Sequence, residues 1–326
     1  MLERIKELNV KPWSCDFEVV HEDWLFKLLH FRGDRKHRIP LLLVYAFINR
    51  PYVLDLHEEV SVVRKIIAEG IDVWMIDWGY PKRADKFLKI ADYIEYIDFC
   101  VEKIRKENAI EAITLHGYCL GSTLSVIYSC LYPEKVKNLI IQTPPINFNT
   151  ENTLALWART LDPKKISRAV GNVSGEILNI AFLLIDPIRL VLAKYQGLLD
   201  NLDDYGFLKE FFYMDFWIFD SPAIAGGVFE EYIERWYHKN EIIENQYEVN
   251  GRRVDLSKIT MPVLALYAEK DHITPPSSVI PFLEKIPSKD KKALSVNKGH
   301  IGLTVSKSSH AKLWKEAIKW IVEHSD

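Results

Sequence analysis

One stretch of twelve residues, 112–123, constrains the fold of this chain more than any other. It reads Ala-Ile-Thr-Leu-His-Gly-Tyr-Cys-Leu-Gly-Ser-Thr, a short apolar run that meets two closely spaced glycines and then a helical pattern. This order predicts a strand, a tight turn and a helix, with Cys119 at the tip of the turn. Strand and helix then pass so close together that the second residue before the tip and the second after it must be small. Gly117 and Gly121 meet that demand.

The turn matches the nucleophile elbow G-x-S-x-G of the α/β-hydrolase fold, with cysteine in place of serine. Cys119 would lie at the N-terminus of the following helix, where backbone N–H groups and the helix dipole favour a thiolate. The amide of Leu120 is expected to be one oxyanion donor. The second donor is expected from the loop after the apolar run Leu41–Phe47, where the amide of Ile48 or that of Asn49 fits.

Strand-like and helix-like segments alternate on both sides of the elbow. A starting hairpin is predicted at 17–20 and 25–31, buried strands at 40–47, 72–77, 136–142, 261–267 and 292–296, and helices at 61–69, 87–106, 277–286 and 309–324. Strands that alternate with helices imply right-handed crossovers. We therefore expect an α/β-hydrolase fold with a mostly parallel central sheet flanked by helices.

Between about residues 147 and 259 this alternation stops, and helix-like segments rich in aromatic residues replace it. We interpret 147–259 as a mainly helical cap, or lid, inserted after the sixth strand and covering the nucleophile. Residues 1–146 and 260–326 would then be the two parts of the hydrolase core. Aromatic side chains of the cap are expected to form its own core: Trp157, Phe182, Tyr195, Phe207, Phe211, Phe212, Trp217, Trp236 and Tyr237.

The fold requires an acid and a histidine after the nucleophile in chain order, each just beyond a later strand. Asp271 follows the predicted strand at 261–267, and His300 follows the one at 292–296, so Cys119, Asp271 and His300 form the expected catalytic triad. Two other histidines lie near the predicted triad in the sequence and are candidates for supporting it. His116 precedes the elbow and is expected to support it, while His272 neighbours the acid and is a candidate for supporting that residue.

Composition narrows the class of protein. The chain has 326 residues, a net charge of only −3 and 27% charged residues, so no strongly basic surface for nucleic acid or a membrane is indicated. No apolar run reaches the roughly 20 residues of a membrane span, and Met1–Lys6 lacks a secretory signal pattern. No Gly-rich phosphate loop follows the first strand, and we expect no cofactor.

Four cysteines are too few and too irregular for a disulfide framework or a zinc site, so no metal is expected and a reducing cytoplasm is the default location. Cys100 and Cys130 fall in helical patterns and are interpreted as small core residues. A cysteine nucleophile suits a thioester donor, because its attack exchanges one thioester for another of similar energy. The acyl group therefore stays activated for transfer.

Across nearly its whole length the chain resembles the catalytic subunit of the polyhydroxyalkanoate synthases, especially the short, class III-like form that works with a second subunit. The resemblance lies in the stretches 45–56, Ile76–Pro81, Gly117–Gly121, Trp217–Pro222, 250–256, Asp271–Pro276 and Gly299–Gly302. The family's Cys–Asp–His set falls on the three residues already selected. One departure is Ser122, where the family often has a second glycine. The long N-terminal domain of the single-subunit synthases has no counterpart here.

By this resemblance, Cys119 attacks an (R)-3-hydroxyacyl-CoA thioester, CoA leaves, and a 3-hydroxyl then takes the acyl group to extend a polyester. The resemblance also implies a second synthase subunit as partner, a homodimer as a further assembly, and a cytoplasmic location at the surface of polyester granules. Arg50 is a candidate contact for a phosphate of CoA. Two alternatives stay open: a cysteine thioesterase or esterase of the same fold, and a catalytically silent granule-binding homologue.

Overall fold

The computed structural model describes residues 10–326, and an eight-stranded sheet forms its centre. The strands are β1 (Glu18–Glu22), β2 (Phe26–Phe31), β3 (Leu41–Val44), β4 (Val73–Trp78), β5 (Ile113–Tyr118), β6 (Val136–Gln142), β7 (Glu248–Val249), β8 (Arg252–Arg253), β9 (Val263–Ala268) and β10 (Lys291–Val296). The short strands β7 and β8 pair only with each other in a separate hairpin. The N-terminal stretch Met1–Lys6, considered above for a signal sequence, lies outside the described residues.

The order of strands across the large sheet is β1-β2-β4-β3-β5-β6-β9-β10. β2 is antiparallel to both β1 and β4, and the remaining neighbours are parallel. The predicted starting hairpin and the mostly parallel sheet are therefore confirmed. Strands β3, β4 and β5 are buried along their entire length, as expected for continuous apolar runs covered on both faces, while β10 at the edge alternates between half-buried and exposed residues.

Helices cover the sheet and form the segment after β6. They are α1 (Val62–Ala68), α2 (Ile90–Asn108), α3 (Leu120–Leu131), α4 (Thr153–Thr160), α5 (Pro163–Val170), α6 (Gly175–Ile185), α7 (Lys194–Asp200), α8 (Tyr205–Phe219), α9 (Gly226–Glu231), α10 (Ile280–Lys285), α11 (Gly302–Val305), α12 (Lys307–Ala311) and α13 (Leu313–Glu323). Two stretches are π-helical: Ile188–Ala193 leads directly into α7, and Tyr232–His238 continues α9.

Three predicted helices have different bounds in the structure. The helix predicted at 87–106 begins at Ile90, because Arg83–Phe87 form a separate 3-10 turn. The helix predicted at 277–286 starts only at Ile280. Pro281 lies in its first turn, and a proline does not allow a regular helix to continue on its N-terminal side. The helix predicted at 309–324 is divided into α12 and α13 at Lys312.

The segment between β6 and β9 is mainly helical, as the aromatic-rich pattern predicted. Its aromatic residues do not share one core, however. Trp236 is fully buried, whereas Trp157 and Tyr195 are 39% and 41% exposed, so the expectation of a common aromatic core is wrong for these two.

Candidate active site

The turn between β5 and α3 has the geometry of a strained elbow. Cys119 has φ 51° and ψ −123°, a backbone conformation that residues other than glycine rarely adopt. Its amide donates to the carbonyl oxygen of Gln142 on β6 at 2.8 Å, and its own carbonyl accepts from the amide of Ser122 at 2.8 Å. The sulfur is thus held at the tip of the turn, and α3 begins at the next residue.

Both glycines of the elbow are required by close approach of the backbone. A Cβ at Gly117 would lie 2.3 Å from the Cα of Ser122, and one at Gly121 would lie 2.0 Å from the carbonyl oxygen of Val44 on β3. Neither distance is tolerable for a real side chain. The prediction that these two positions must be small is confirmed, and it follows from the packing of α3 against the sheet.

Ser122, the departure from the family pattern, adds hydrogen bonds that a glycine could not make. Its hydroxyl donates to the carbonyl oxygen of Gly117 at 2.7 Å and accepts from the amide of Gln142 at 3.1 Å. The residue is completely buried. It therefore joins the elbow to β6.

Asp271 and His300, which are 29 positions apart in the chain, form a buried pair beside the elbow. The Nδ1 atom of the imidazole lies 2.7 Å from the Oδ2 atom of the carboxylate. Burial alone would lower the pKa of His300, but the Asp271 carboxylate, together with the nearby Cys119 side chain, raises it above the usual range. Burial alone would raise the pKa of Asp271, and the charge of His300 holds it below its usual value. A more basic imidazole is better able to accept a proton from a thiol.

Thr274, which the sequence analysis did not single out, completes the surroundings of the acid. Its hydroxyl donates to Oδ2 of Asp271 at 2.9 Å, while its amide and that of Ile273 donate to Oδ1, each at 2.8 Å. These bonds orient the carboxylate toward the imidazole. A signal for them was present, because an aspartate followed three residues later by threonine in a loop is typical of local side-chain to backbone hydrogen bonding.

The two supporting histidines lie in different places. His116 is fully buried on β5, with its Nε2 atom 3.0 Å from Oε1 of Gln142, and burial lowers its pKa to about 4. It contacts the strand next to the elbow rather than the sulfur. His272 lines the same cavity as Cys119 and contacts Arg189 of the helical segment after β6, with 3.1 Å between Nδ1 and Nη2. Burial, and secondly the charge of Arg189, lower the pKa of His272.

Arg50 lies in a different environment from the one expected for a CoA contact. Its guanidinium forms an ion pair with Asp77, at 2.8 Å between Nη2 and Oδ2, and donates to the carbonyl oxygen of Trp78 at 2.5 Å. Its side chain is only 13% exposed, and it lies outside the set of described residues that line the cavity. A guanidinium engaged in this way fastens the loop after β3 to the end of β4, and the phosphate contact stays a prediction.

A cavity of about 310 Å³ lies between the elbow and the helices after β6. Cys119 and His300 face it from the sheet side, and its walls are mostly apolar. Residues of the helical segment that line it include Leu154, Phe182, Leu183, Trp217, Ile218 and Tyr237. Leu120, Ile48 and Asn49, which carry the expected oxyanion donors, line the same cavity. The assignment of their backbone amides as oxyanion donors stays a prediction.

Residues 10–326 contain neither a cluster of metal ligands nor a helix that could span a membrane. No group of three or more histidine, cysteine, aspartate or glutamate side chains in this part of the chain is arranged to hold a metal ion. Within the same range, none of the helices is both long enough and apolar enough to cross a bilayer.

Several known proteins are similar to this chain. The poly(3-hydroxyalkanoate) polymerase subunit PhaC of Haloferax mediterranei is 38% identical over 315 residues, which cover 95% of this chain but only 64% of that protein. The subunit of the same name from Synechocystis is 39% identical, with 99% and 89% covered, and that from Allochromatium vinosum is 38% identical, with 91% and 86% covered.

Solved structures agree on the fold. A soluble variant of monoglyceride lipase from Saccharomyces cerevisiae matches with a TM-score of 0.61 and 12% identity over 98% of both chains. The monoacylglycerol lipase of Paleococcus ferrophilus matches with a TM-score of 0.55 and 18% identity, over 91% of this chain and 99% of that one. The family model described as alpha/beta hydrolase fold matches residues 39–305. With an elbow cysteine, a buried Asp–His pair and these relatives, the chain belongs to the PhaC family of poly(3-hydroxyalkanoate) polymerase subunits within the α/β-hydrolase fold.

Proposed function

We propose that this chain is a polyester synthase that transfers (R)-3-hydroxyacyl groups from CoA thioesters to the hydroxyl end of a growing polyhydroxyalkanoate. The observation that carries the proposal is the position of Cys119 at the tip of the elbow, beside the Asp271–His300 pair and inside an apolar cavity. The names of its relatives supply the substrate class, since they are poly(3-hydroxyalkanoate) polymerase subunits.

In the first step the sulfur of Cys119 attacks the carbonyl carbon of the bound thioester. The thiol proton passes to His300, whose raised pKa favours its acceptance. A carbon–sulfur bond to Cys119 forms, the bond between the carbonyl carbon and the sulfur of CoA breaks, and His300 returns the proton to the departing CoA thiolate. Oxyanion stabilisation by the amide of Leu120 and an amide of the loop at Ile48 and Asn49 belongs to this step.

In the second step the 3-hydroxyl of another monomer or of the chain end attacks the acyl group on Cys119. The hydroxyl proton passes to the imidazole, an ester bond forms, and the bond between the acyl carbon and sulfur breaks to regenerate the thiol. Asp271 orients the imidazole through the 2.7 Å contact at Nδ1. The reaction needs no cofactor, because the thioester is already an activated acyl donor.

The segment 147–259 acts, in this proposal, as a cap that keeps water away from the acyl-enzyme. Its contribution to the cavity is mainly apolar, including Leu154, Phe182 and Trp217. Exclusion of water from a reactive acyl intermediate favours transfer to a hydroxyl over hydrolysis. The same apolar walls offer a path for a polyester product.

The test incubates the purified chain with (R)-3-hydroxybutyryl-CoA, follows release of CoA by chromatography, and analyses the acyl product. Polymer supports the synthase, whereas free acid with CoA release would establish a thioesterase. A chain that binds polyester granules but never releases CoA would instead be the silent homologue.

Cys119→Ala should abolish CoA release while the far-ultraviolet circular dichroism stays unchanged, because only the nucleophile is lost. The matched control is Cys15→Ser, which alters another partly buried cysteine while keeping a donor for its partner Asp55, and it should retain activity. Retained CoA release in Cys119→Ala would contradict the assignment of the nucleophile.

We further propose that a second synthase subunit is the partner of this chain and that the complex works at the surface of the polyester. The relatives that support this inference are all named as subunits of a polymerase. The purified chain by itself should then show a lag and a low specific activity. Full specific activity of the purified chain without a lag would contradict the requirement for the second subunit.

A further inference from the structure

A group of hydrogen bonds joins the loop after β3 to the segment 217–221 of the cap. The Nδ2 atom of Asn49 donates to the hydroxyl oxygen of Ser221 at 2.6 Å. One residue further along the loop, the carbonyl oxygen of Arg50 accepts from the indole Nε1 of Trp217 at 2.7 Å. The loop that carries the candidate second oxyanion donor is therefore fastened to the cap on two consecutive residues.

A carboxylate of the cap extends this attachment. Asp220, at the end of α8, accepts a hydrogen bond from the hydroxyl of Tyr52 at 2.9 Å and another from the hydroxyl of Tyr80. Tyr52 belongs to the turn that follows the loop, and Tyr80 follows β4. Segment 217–221 thus binds the core at three places, and all of them are side-chain contacts across the boundary between cap and core.

The backbone of the loop is sensitive to these contacts. Asn49 has φ 59°, in the left-handed region that asparagine enters more readily than most side chains. The direction of the amides on either side of this residue depends on that conformation. Because the side chain of Asn49 is bonded to Ser221, a shift of the cap segment would rotate the loop that faces Cys119.

Ser221 also reaches the helix that lies over the cavity. Its hydroxyl donates to Oδ1 of Asn179 on α6 at 3.0 Å, and Asn179 is 6% exposed and lines the cavity. The approach between the two segments is close, since a Cβ at Gly175 would lie 2.0 Å from the carbonyl oxygen of Ser221. A single hydroxyl therefore connects the loop after β3, the end of α8 and the cap helix α6.

We propose that Ser221 is a positioning residue that holds Asn49 and thereby couples the shape of the oxyanion site to the position of the cap. The proposal rests on the acyl transfer at Cys119 proposed above. When the cap segment is displaced, the second amide donor loses its alignment, and attack on a thioester slows. Acylation is then fast only while the cap occupies the position seen in the structure, which also excludes water.

The experiment compares two reactions of the same sulfur in Ser221→Ala. Acylation is measured as the first-turnover release of CoA from (R)-3-hydroxybutyryl-CoA, and it develops negative charge on the carbonyl oxygen. Alkylation by iodoacetamide forms a carbon–sulfur bond and displaces iodide, so it develops no oxyanion. The ratio of the two rates reports the oxyanion site separately from the reactivity and accessibility of Cys119.

We expect this ratio to fall about tenfold in Ser221→Ala, less than the loss caused by deleting a donor outright, because the donor is displaced and not removed. Asn49→Gly keeps the freedom for a positive φ and removes the bond to Ser221, so its ratio should fall as well. Ser257→Ala, the same substitution at an exposed residue elsewhere in the cap segment, is the control and should leave the ratio unchanged.

An unchanged ratio in both Ser221→Ala and Asn49→Gly overturns the proposal, whether the two rates stay constant or fall together through a general loss of structure. Failure of the proposed function looks different. In that case the unsubstituted chain would be alkylated by iodoacetamide yet release no CoA, and both proposals would fall together.

Discussion

Cys119 combines a reactive side chain with a backbone conformation that costs free energy. A non-glycine residue with φ 51° and ψ −123° is disfavoured by roughly 1–3 kcal/mol, and the neighbouring contacts must offset this. They include the bond from the Cys119 amide to Gln142 and the bonds of the Ser122 hydroxyl. This backbone conformation places the sulfur at the cavity, directly before the first turn of α3.

The Asp271–His300 pair links protonation to stability, with opposite signs at its two members. The folded-state pKa of His300 is raised, so its contribution to stability is present below about pH 6.5 and is lost as pH rises through the folded-state value. The folded-state pKa of Asp271 is lowered, so its contribution is present above about pH 3.9 and is lost as pH falls through the folded-state value. The pair therefore stabilises the fold most between these two limits.

Asp271→Asn should remove both of these pH dependences. We expect the free energy of unfolding of the unsubstituted chain to decline above about pH 6.5 more steeply than that of the variant, because His300 no longer gains from a carboxylate. Urea denaturation of both proteins between about pH 3 and about pH 9, a range that includes both limits, measures the difference. Parallel curves for the two proteins would show that the ion pair does not contribute.

At the scale of secondary structure elements, the junction of β5 and α3 could be predicted from the sequence in nearly all its detail. The reason is that its constraints are local: the apolar run fixes the strand, and the tight crossing admits only small residues beside the tip. Gly117 and Gly121 are both in contact with backbone atoms, so no rearrangement of side chains could relieve a larger residue.

Gly121→Ala is the sharpest test of this junction. The added Cβ would meet the carbonyl oxygen of Val44 at 2.0 Å, so α3 would have to move away from β3, and we expect destabilisation of about 3 kcal/mol or more. Gly197→Ala is the matched control, since its Cβ would have only the ring of Phe207 within reach, at 3.9 Å, and alanine favours the helix α7. Urea unfolding should show this control unchanged or slightly stabilised. Equal stability of Gly121→Ala and the unsubstituted chain would contradict the close crossing.

The helices between β6 and β9 show where prediction at the scale of elements ends. The aromatic and apolar composition of 147–259 correctly indicated helices, but not which faces would be covered. On α6, Ile177, Ile180 and Leu184 are at least half exposed, although such residues usually lie inside a protein. Periodicity identifies an apolar face, while its burial depends on what packs against it, and that is decided by the arrangement of the whole segment.

Across the whole molecule, the chain order of Cys119, Asp271 and His300 was informative because carboxyl ends of parallel strands share one edge of the sheet. Proximity follows in this way only for residues at strand ends. The ion pair between Arg50 and Asp77 on β4, and the bond from Asn49 to Ser221, could not be foreseen from strand order, because each joins the loop after β3 to an element elsewhere in the chain. Both contacts are set by tertiary packing, and the local sequence around Arg50 suggested a ligand contact instead.

Asp55 is another contact of this long-range kind, and it ties the beginning of the described chain to the core. Its buried carboxylate accepts from the amides of Ser14 and Cys15, each at 2.8 Å, and from the hydroxyls of Ser14 and Ser61 at 2.6 and 2.5 Å. Asp55→Ala would leave the amide of Cys15 and the hydroxyls of Ser14 and Ser61 without this acceptor, while the amide of Ser14 keeps the backbone carbonyl oxygen of residue 55. Since unsatisfied buried groups each cost about 1–3 kcal/mol, we expect a loss of about 3 kcal/mol or more.

The loss should also appear locally. In Asp55→Ala the segment around Ser14 should be cleaved by protease at enzyme concentrations that leave the unsubstituted chain intact, because its attachment to the core is lost before the sheet unfolds. The control is Asp16→Ala, which makes the same substitution at an exposed residue two positions after Ser14. It should alter the free energy of unfolding by no more than about 0.5 kcal/mol. If Asp55→Ala resisted protease as well as this control does, the attachment would have to reside in the packing of Trp13 against Phe17, Phe31 and Tyr52 rather than in the carboxylate.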